Sequence, residues 1–166
     1  MRAQLLRGQR LALWLLLPLL ALVFDWLSKV WVVAKLSPGE SVPVIKGFFN
    51  LTLGYNPGAV FGSLQGAPAW LRTAIFTVVG IFALVFFGYE FLKEGTPRFQ
   101  RVALGLILGG ALGNGLDRLL RGAVVDFLDL YFRDWHYWAF NVADSCIVCG
   151  AILFGLSILF SRPKEA

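Results

Sequence analysis

The sequence predicts an α-helical integral membrane protein: four transmembrane helices with a small extracytoplasmic β-sheet and a short outer helix. The first observation is composition. Of the 166 residues, 58% are hydrophobic and the mean hydropathy is +0.71, whereas soluble domains are about 45–50% apolar. The second observation is that the excess is concentrated in four long runs. The third is a stretch of strand-like composition between the first two runs. We expect residues 1–166 to form a single membrane-embedded domain.

Each of the four runs approaches the roughly 20 apolar residues that a helix needs to cross a bilayer. The first run is not a cleavable signal peptide, because its apolar stretch is long and no small-residue cleavage site follows it. The predicted spans and the two larger connections, which we call the outer loops, are these: spans at about 11–33, 73–92, 102–120 and 138–160, and outer loops at 34–72 and 121–137.

The distribution of lysine and arginine predicts the orientation of the chain. Positive residues are enriched in short cytoplasmic flanks of membrane helices. With four spans, the two termini and the loop between spans two and three share one side, which we expect to be cytoplasmic. The net charge of +5 is then explained by topology rather than by nucleic-acid binding. The basic residues in these three regions are Arg2, Arg7, Arg10, Lys93, Arg98, Arg101, Arg162 and Lys164.

The first outer loop has strand-like composition over residues 42–53, with glycine and proline as punctuation. We expect a small sheet there on the outer membrane face, followed by a short helix or loop around 61–70. Aromatic residues near the predicted outer interfaces are typical of the belts that form at membrane surfaces: Trp31, Trp70, Tyr131, Trp135, Tyr137 and Trp138.

Two charged residues, Asp25 and Lys29, lie inside the first span. Their spacing places them on one helix face, with the acid on the N-terminal side. A pair offsets much of the desolvation cost that each charge alone would carry. Two interpretations stay open: an ion pair that ties span one to its neighbours, or direct contact with a ligand.

The third span ends in a polar stripe. Asn114, Asp117 and Arg118 lie at i, i+3 and i+4 and therefore share a face. Arg118 either extends to the interface or presents its donors to a carbonyl or phosphate group. Four glycines before and within the stripe allow close approach of helices or of another backbone: Gly109, Gly110, Gly113 and Gly115.

Two aspartates have unusual surroundings. Asp126 is flanked by Val125 and Phe127, and Asp144 lies in the polar start of an otherwise apolar span. Carboxylates near hydrocarbon are candidates for a functional site. Two carboxylates held together in a poorly hydrated site cannot both ionise easily, so one keeps its proton. Such a pair can activate a water and donate to a carbonyl oxygen, as in aspartic proteases.

The other polar residues of the second outer loop carry less signal. We expect ordinary solvation for Asp129 and Asp134, and an exposed loop position without a role for His136. The sequence has no clustered histidines or cysteines and no HExxH motif, so we expect no metal site and no cofactor.

Five sequence blocks together resemble the lipoprotein signal peptidase family, the bacterial type II signal peptidases. They occur in family order and, with the spans between them, cover nearly the whole chain: DWLSK at 25–29, FFNLTLGYNPGAVFG at 48–62, GGALGNGLDRL at 109–119, GAVVDFLDLYF at 122–132 and FNVADSCIVCG at 140–150.

The resemblance implies an aspartic endopeptidase that cleaves diacylglyceryl-modified prolipoproteins just before the lipidated cysteine. The catalytic pair carries over to Asp126 and Asp144. The resemblance further implies a protein of the bacterial cytoplasmic membrane that is inhibited by globomycin. We expect it to be a monomer surrounded by membrane lipids, with its site on the extracytoplasmic side. The remaining family positions are substrate-binding or site-shaping residues and structural polar residues: Asn56, Asn114, Arg118 and Asn141 for the first group, and Asp25, Lys29 and Asp117 for the second.

Two other classes of function remain as alternatives. Cys146 and Cys149 share a helix face and could serve a thiol–quinone oxidoreductase, although they also suit packing between helices. A small transporter or assembly factor would use the intramembrane charges to line an ion path. A continuous polar track along the bundle would favour the transporter.

Overall fold

The computed structural model describes residues 2–58 and 66–160, and for residues 2–10 and 69 the backbone alone. Within these residues, four helices are long and apolar enough to cross a membrane, as the sequence predicts. The predicted small sheet is also present, and it is antiparallel with the strand order β1-β2-β3-β4. The elements are α1 Arg2–Lys35, β1 Ser41–Ile45, β2 Phe49–Asn56, α2 Ala69–Leu92, α3 Arg98–Arg121, β3 Val124–Phe132, β4 Trp135–His136 and α4 Val142–Leu159.

The predicted short outer helix around 61–70 falls largely outside the described residues. Residues 66–68 are not helical, and α2 begins at Ala69. Helices α1 and α3 contact β3 at one end of the bundle, which we call the sheet end. The opposite end, where α2 is connected to α3, is called the far end.

Helix α3 is the central helix and contacts each of the other three. Its glycines permit this, as the sequence predicts. A Cβ atom on Gly109 would lie 2.6 Å from Cβ of Ala21 on α1, and Gly110 and Gly113 are equally restricted by Ala143 and Asp25. Gly115 differs, because a Cβ atom there would meet nothing within 4 Å.

The sheet draws on both outer loops, whereas the sequence analysis placed it in the first loop alone. Strands β3 and β4 come from the second loop, and β3 pairs along β2 so that Gly54 lies opposite Asp126. Side chains alternate along a strand. Val125 and Phe127 therefore face one side, where they pack against Val32 at the end of α1. Asp126 faces the other side.

Helix α4 begins at Val142 rather than at Trp138, where the apolar run begins. Asn141 has extended backbone angles and caps the helix. The preceding Phe140 is bound to β3, because its N–H donates to the carbonyl of Leu128 at 3.0 Å. Hydrophobicity continues through this segment, but its backbone hydrogen bonds belong to the sheet.

Buried groups are distributed unevenly along the bundle. Toward the far end, Phe91, Leu104 and Leu108 form an apolar core. Within the described part of the chain, the buried polar side chains all lie at the sheet end or in the sheet. There is thus no continuous polar track along the described bundle, which argues against the transporter interpretation.

The outward faces of the helices are apolar. Leu13 and Phe24 on α1 and Phe82 on α2 are each exposed over about two-thirds of their surface, at 67%, 66% and 69%. Side chains of this kind favour hydrocarbon over water. The bundle is therefore suited to a lipid environment.

Candidate active site

Asp126 projects from β3 into a cavity at the sheet end and is 5% exposed. Its carboxylate accepts one hydrogen bond from the Asn56 amide at 3.0 Å and one from the Asn141 amide at 2.8 Å. The pKa of Asp126 is raised to about 6, mainly because burial disfavours the ionised form and further because the Asp144 carboxylate is nearby. The two amides act in the opposite direction, since they stabilise the charged form.

Asp144 lies in the first turn of α4 and lines the same cavity. Together with Asn141 it forms a capping box. The Asn141 side-chain oxygen accepts from the Asp144 N–H at 2.9 Å, and the Asp144 carboxylate accepts from the Asn141 N–H at 3.2 Å. The other carboxylate oxygen accepts from the Asn114 amide at 2.7 Å. Donors and the helix N-terminus both favour a negative charge here.

Asn141 joins the two carboxylates. Its side-chain oxygen binds the backbone of Asp144, while its Nδ2 lies 2.8 Å from Asp126 and 3.2 Å from the side-chain oxygen of Asn114. Asn141 is completely buried. The two aspartates therefore share one amide that fixes them relative to each other.

A buried charged cluster of Asp25, Lys29, Asp117 and Arg121 lies beneath the carboxylates. The Lys29 ammonium lies 2.7 Å from the Asp25 carboxylate and 2.9 Å from that of Asp117, and it donates to the Asn114 oxygen at 3.1 Å. Arg121 pairs with the other oxygen of Asp117. Two cations thus balance two anions, which a buried set of charges requires.

The cluster also contacts the backbone beside each cavity aspartate. Asp25 accepts a hydrogen bond from the N–H of Ala143 at 2.8 Å, immediately before Asp144. Asp117 accepts from the N–H of Val125 at 3.1 Å, immediately before Asp126. Of the two interpretations of Asp25 and Lys29, this geometry matches the ion pair that ties span one to its neighbours.

Arg118 lies in the wall of the cavity rather than within the charged cluster. Its guanidinium group lies over the ring of Phe76 on α2 at 4.9 Å, and one nitrogen donates to the carbonyl of Asn114 at 3.3 Å. Sequence reasoning placed Asn114, Asp117 and Arg118 on one stripe. The structure divides the stripe, since Asp117 points to the cluster and Arg118 to the cavity.

The cavity has a volume of about 490 Å³. Polar groups are gathered around Asp126 and Asp144, and the remaining wall is largely apolar. The sequence analysis assigned Tyr137 and Trp138 to an interfacial belt, and the structure also places them in this wall. It did not single out Arg121, although the i, i+4 spacing from Asp117 was an available signal.

The expectation of ordinary solvation for Asp129 is wrong. Asp129 is 7% exposed rather than freely solvated, and it accepts hydrogen bonds from Asn50 at 2.9 Å and from His136 at 2.9 Å. His136 is exposed, as expected, but it is held by this carboxylate. The reason is that β3 pairs with β2 and β4, which brings distant polar residues together on one face of the sheet.

Cys146 and Cys149 are both free thiols, and neither lines the cavity. Cys149 is exposed on the lipid-facing surface of α4. Their positions give the redox interpretation no support from the cavity.

The four apolar helices of the described residues define this molecule as a multi-pass membrane protein, and Asp126 and Asp144 share one cavity in it. A family model described as signal peptidase (SPase) II matches residues 17–160. On this match and the likeness to curated relatives, the chain belongs to the bacterial signal peptidase II family, which are peptidases of the membrane.

Individual relatives agree with this assignment. The lipoprotein signal peptidase of Burkholderia vietnamiensis (strain G4 / LMG 22486) is 47% identical over 143 residues, which cover 86% of this chain and 85% of the relative. That of Burkholderia mallei (strain SAVP1) is 47% identical over 146 residues, covering 88% and 87%.

Solved structures show the same fold. One bacterial membrane enzyme superposes with a TM-score of 0.79 at 32% identity, covering 93% of this chain and 94% of that one. A second, also described as a bacterial membrane enzyme, gives a TM-score of 0.78 at 33% identity, covering 91% and 95%.

Proposed function

We propose that this protein is a lipoprotein signal peptidase, an aspartic endopeptidase that removes the signal peptide from diacylglyceryl-modified prolipoproteins just before the lipidated cysteine. The observation that carries the proposal is the placement of Asp126 and Asp144 in one cavity, linked by Asn141. Membership of the signal peptidase II family supports it.

In this proposal Asp144 is the base and Asp126 the acid. The Asp144 carboxylate accepts two hydrogen bonds, from the Asn114 amide and from the Asn141 N–H, and lies at a helix N-terminus, which favours a negative charge. Asp126 is nearly buried and its pKa is raised to about 6, so it keeps its proton more readily. When their environments favour different protonation states, one carboxyl group of a pair can act as the acid and the other as the base.

The reaction then needs only a water. Asp144 takes a proton from the water as its oxygen attacks the scissile carbonyl carbon, and Asp126 gives its proton to the carbonyl oxygen. The tetrahedral gem-diol collapses when the C–N bond breaks: Asp144 passes its proton to the leaving nitrogen, and Asp126 takes back a proton from a hydroxyl of the diol as the new carboxyl group forms. The products are a signal peptide with a new carboxylate and a lipoprotein with a new amino group on its cysteine.

The neighbouring polar residues have supporting roles. Asn56 and Asn141 hold Asp126, and Asn114 holds Asp144. Arg118 offers its guanidinium group to a main-chain carbonyl of the bound substrate, a task that its planar set of donors suits. Asp25, Lys29 and Asp117 are structural, because they pair with one another and bind the backbone that carries the dyad. Lys29 also binds Asn114, and Asp117 also pairs with Arg121.

The substrate carries both lipid chains and a peptide, and the sheet end of the bundle must accommodate both. The acyl chains of a diacylglyceryl cysteine remain in the bilayer while the bond before it enters a cavity with a partly apolar wall. Anchoring the substrate in the membrane holds the scissile bond near the dyad, which is a proximity effect. We further propose that membrane lipids surround the bundle, that globomycin occupies this cavity as a competitor and that the enzyme acts as a monomer.

The charge pattern supports an orientation in the cytoplasmic membrane. Lys93, Arg98 and Arg101 lie at the far end, where α2 is connected to α3, and the sequences of both termini are also basic. Positive flanks favour the cytoplasmic side. We therefore propose that the far end and both termini are cytoplasmic and that the cavity opens on the extracytoplasmic side.

The test is cleavage of a diacylglyceryl-modified prolipoprotein by purified protein in detergent. We expect Asp126→Asn and Asp144→Asn each to abolish cleavage, since either change removes a proton-transfer group. Asp134→Asn is the matched control, because Asp134 is an exposed aspartate of the same loop. Normal cleavage by both dyad variants would overturn the assignment, and globomycin should block the wild-type and Asp134→Asn proteins alike.

A further inference from the structure

A polar cluster on the sheet lies outside the proposed dyad. Asp129 on β3 accepts a hydrogen bond from Asn50 on β2 and another from Nδ1 of His136 on β4. A carboxylate is only an acceptor when ionised, so Nδ1 carries the hydrogen in this pair. The imidazole stacks on the ring of Tyr131, with 5.0 Å between ring centroids and 10° between ring planes. The Tyr131 hydroxyl accepts from the N–H of Gly47 at 2.7 Å.

The cluster can affect the cavity because His136 immediately precedes a segment of the cavity wall. Strand β4 is only two residues long, too short to be held firmly by its backbone hydrogen bonds alone. The next residues, 137–140, line the cavity. At one end of this segment the N–H of Tyr137 donates to Leu130 at 2.8 Å, and at the other Phe140 pairs with Leu128.

Within the segment, the rings of Tyr137 and Phe140 contact each other edge to face, with centroids 5.8 Å apart. We call the junction with His136 the entry of the segment, and the bridge between Phe140 and Leu128 its exit. The exit is fixed by backbone bonds in both directions. The entry depends on the side-chain bond between His136 and Asp129 in addition to the short strand.

We propose that Asp129 and His136 form a positioning pair that fixes the wall of the substrate cavity at 137–140 and so sets substrate affinity. The inference rests on the proposed peptidase function, because the cavity is taken to be the substrate site. Neither residue lines the cavity, and neither takes part in proton transfer. The pair acts through the backbone of the wall.

The chain offers a matched set of variants at one exposed position. The Asn side chain places its amide near the position of Nδ1, whereas Gln places its amide near Nε2. His136→Asn therefore keeps a donor toward Asp129, and His136→Gln does not. Because His136 is exposed, both variants should fold. Asp134→Asn serves as the control for an unrelated change in the same turn.

The measurement is KM and kcat for a diacylglyceryl-modified prolipoprotein in detergent, with thermal unfolding recorded for each protein. We expect His136→Gln to raise KM roughly tenfold, equivalent to about 1.4 kcal/mol of binding, with little change in kcat. A rise in KM alone marks the loss of interactions made equally in the ground and transition states. His136→Asn should restore KM close to that of the wild type.

Three results would overturn the inference. KM of His136→Gln could equal that of the wild type, His136→Asn could fail to restore it, or kcat could fall while KM stays constant. A purely structural role would lower the unfolding temperature without this pattern. Failure of the inference is distinguishable from failure of the proposed function, because the latter would appear as normal cleavage by Asp126→Asn and Asp144→Asn.

Discussion

The ammonium group of Lys29 lies 3.1 Å from the side-chain oxygen of Asn114, and this contact determines which way the amide of Asn114 points. With its oxygen directed at Lys29, its NH₂ group is directed at Asp144, 2.7 Å away. A lysine with no exposed surface in the first span therefore orients a carboxylate of the fourth.

Replacing Lys29 by Met is expected to be severely destabilising. The change keeps the length of the side chain but leaves Asp25 and Asp117 with too little compensating charge, and breaking a buried ion pair from one side costs about 3–5 kcal/mol. Thermal unfolding in detergent measures the loss. Lys46→Met is the control, because Lys46 is exposed. An unfolding temperature of Lys29→Met equal to that of the control would contradict the structural role.

The pKa of Asp126 predicts how cleavage depends on pH. Its folded-state pKa, about 6, lies above the ordinary value of 3.8. The protonated form therefore contributes stability that is fully present below pH 3.8 and is lost as the pH rises through about 6. If Asp126 is the acid, kcat/KM should decline as the pH rises through about 6. The pH dependence of kcat/KM reflects the ionisation of groups in the free enzyme.

Asn56 provides a way to move that decline. Its amide stabilises the ionised form of Asp126, so Asn56→Ala should raise the pKa and shift the falling limb to higher pH. A net hydrogen bond of roughly 1 kcal/mol corresponds to roughly 0.7 pH unit. The pH profile of kcat/KM is the measurement, with Asp134→Asn as the unshifted control. A shift to lower pH would refute the assignment of Asp126 as the acid.

Asn141 has two separable tasks. Ser at this position still caps α4, but it is too short to reach Asp126, whereas Ala does neither. We expect both variants to lose roughly ten- to a hundred-fold in kcat, because the charge that forms on Asp126 as it gives up its proton loses a hydrogen bond, and a hydrogen bond to a charged group contributes about 1.5–3 kcal/mol. Only Asn141→Ala should lose a further ~1 kcal/mol of stability. Kinetics combined with unfolding separates the two, and full activity of Asn141→Ser would exclude the link to Asp126.

Two glycines of α3 form a matched pair for packing. In Gly109→Ala the new methyl group would lie 2.6 Å from Cβ of Ala21. Overpacking of this kind destabilises a protein by about 1–3 kcal/mol. In Gly115→Ala the methyl group would meet nothing within 4 Å, and Ala favours helix over Gly by about 1 kcal/mol. Unfolding temperatures should fall for the first and hold or rise for the second. A similar fall for both would show that the helices pack differently.

The thiols give the last prediction. Cys146 and Cys149 lie outside the cavity, so a double replacement by Ala should cleave substrate at the wild-type rate. The same assay, run with and without a thiol reductant, checks it. Loss of activity in the double variant would revive a redox role.

The sequence could predict the spans and single out both aspartates as candidates for a simple physical reason. Long apolar runs and a carboxylate among apolar neighbours are local features, visible within a few residues. The third and fourth strands were not foreseen, because the pairing of Asn50 with Asp129 joins residues 79 positions apart. The start of α4 was misplaced for a related reason. Residues 138–140 are apolar enough for a span, yet the backbone of Phe140 is bound to β3.

The hydrogen bond between Asp25 and the N–H of Ala143 spans 118 positions of sequence, which has a consequence for biogenesis. As the chain is synthesised, the first hydrophobic segment enters the bilayer long before the last. Lys29 pairs with Asp117 once the third helix is in place, but Asp25 still lacks the N–H donor of Ala143. We expect nascent chains that end before Val142 to leave this buried carboxylate short of one hydrogen bond and to be recognised by membrane quality control. Insertion of the last helix is thus the step that completes the hydrogen bonding of the buried carboxylate in the first helix.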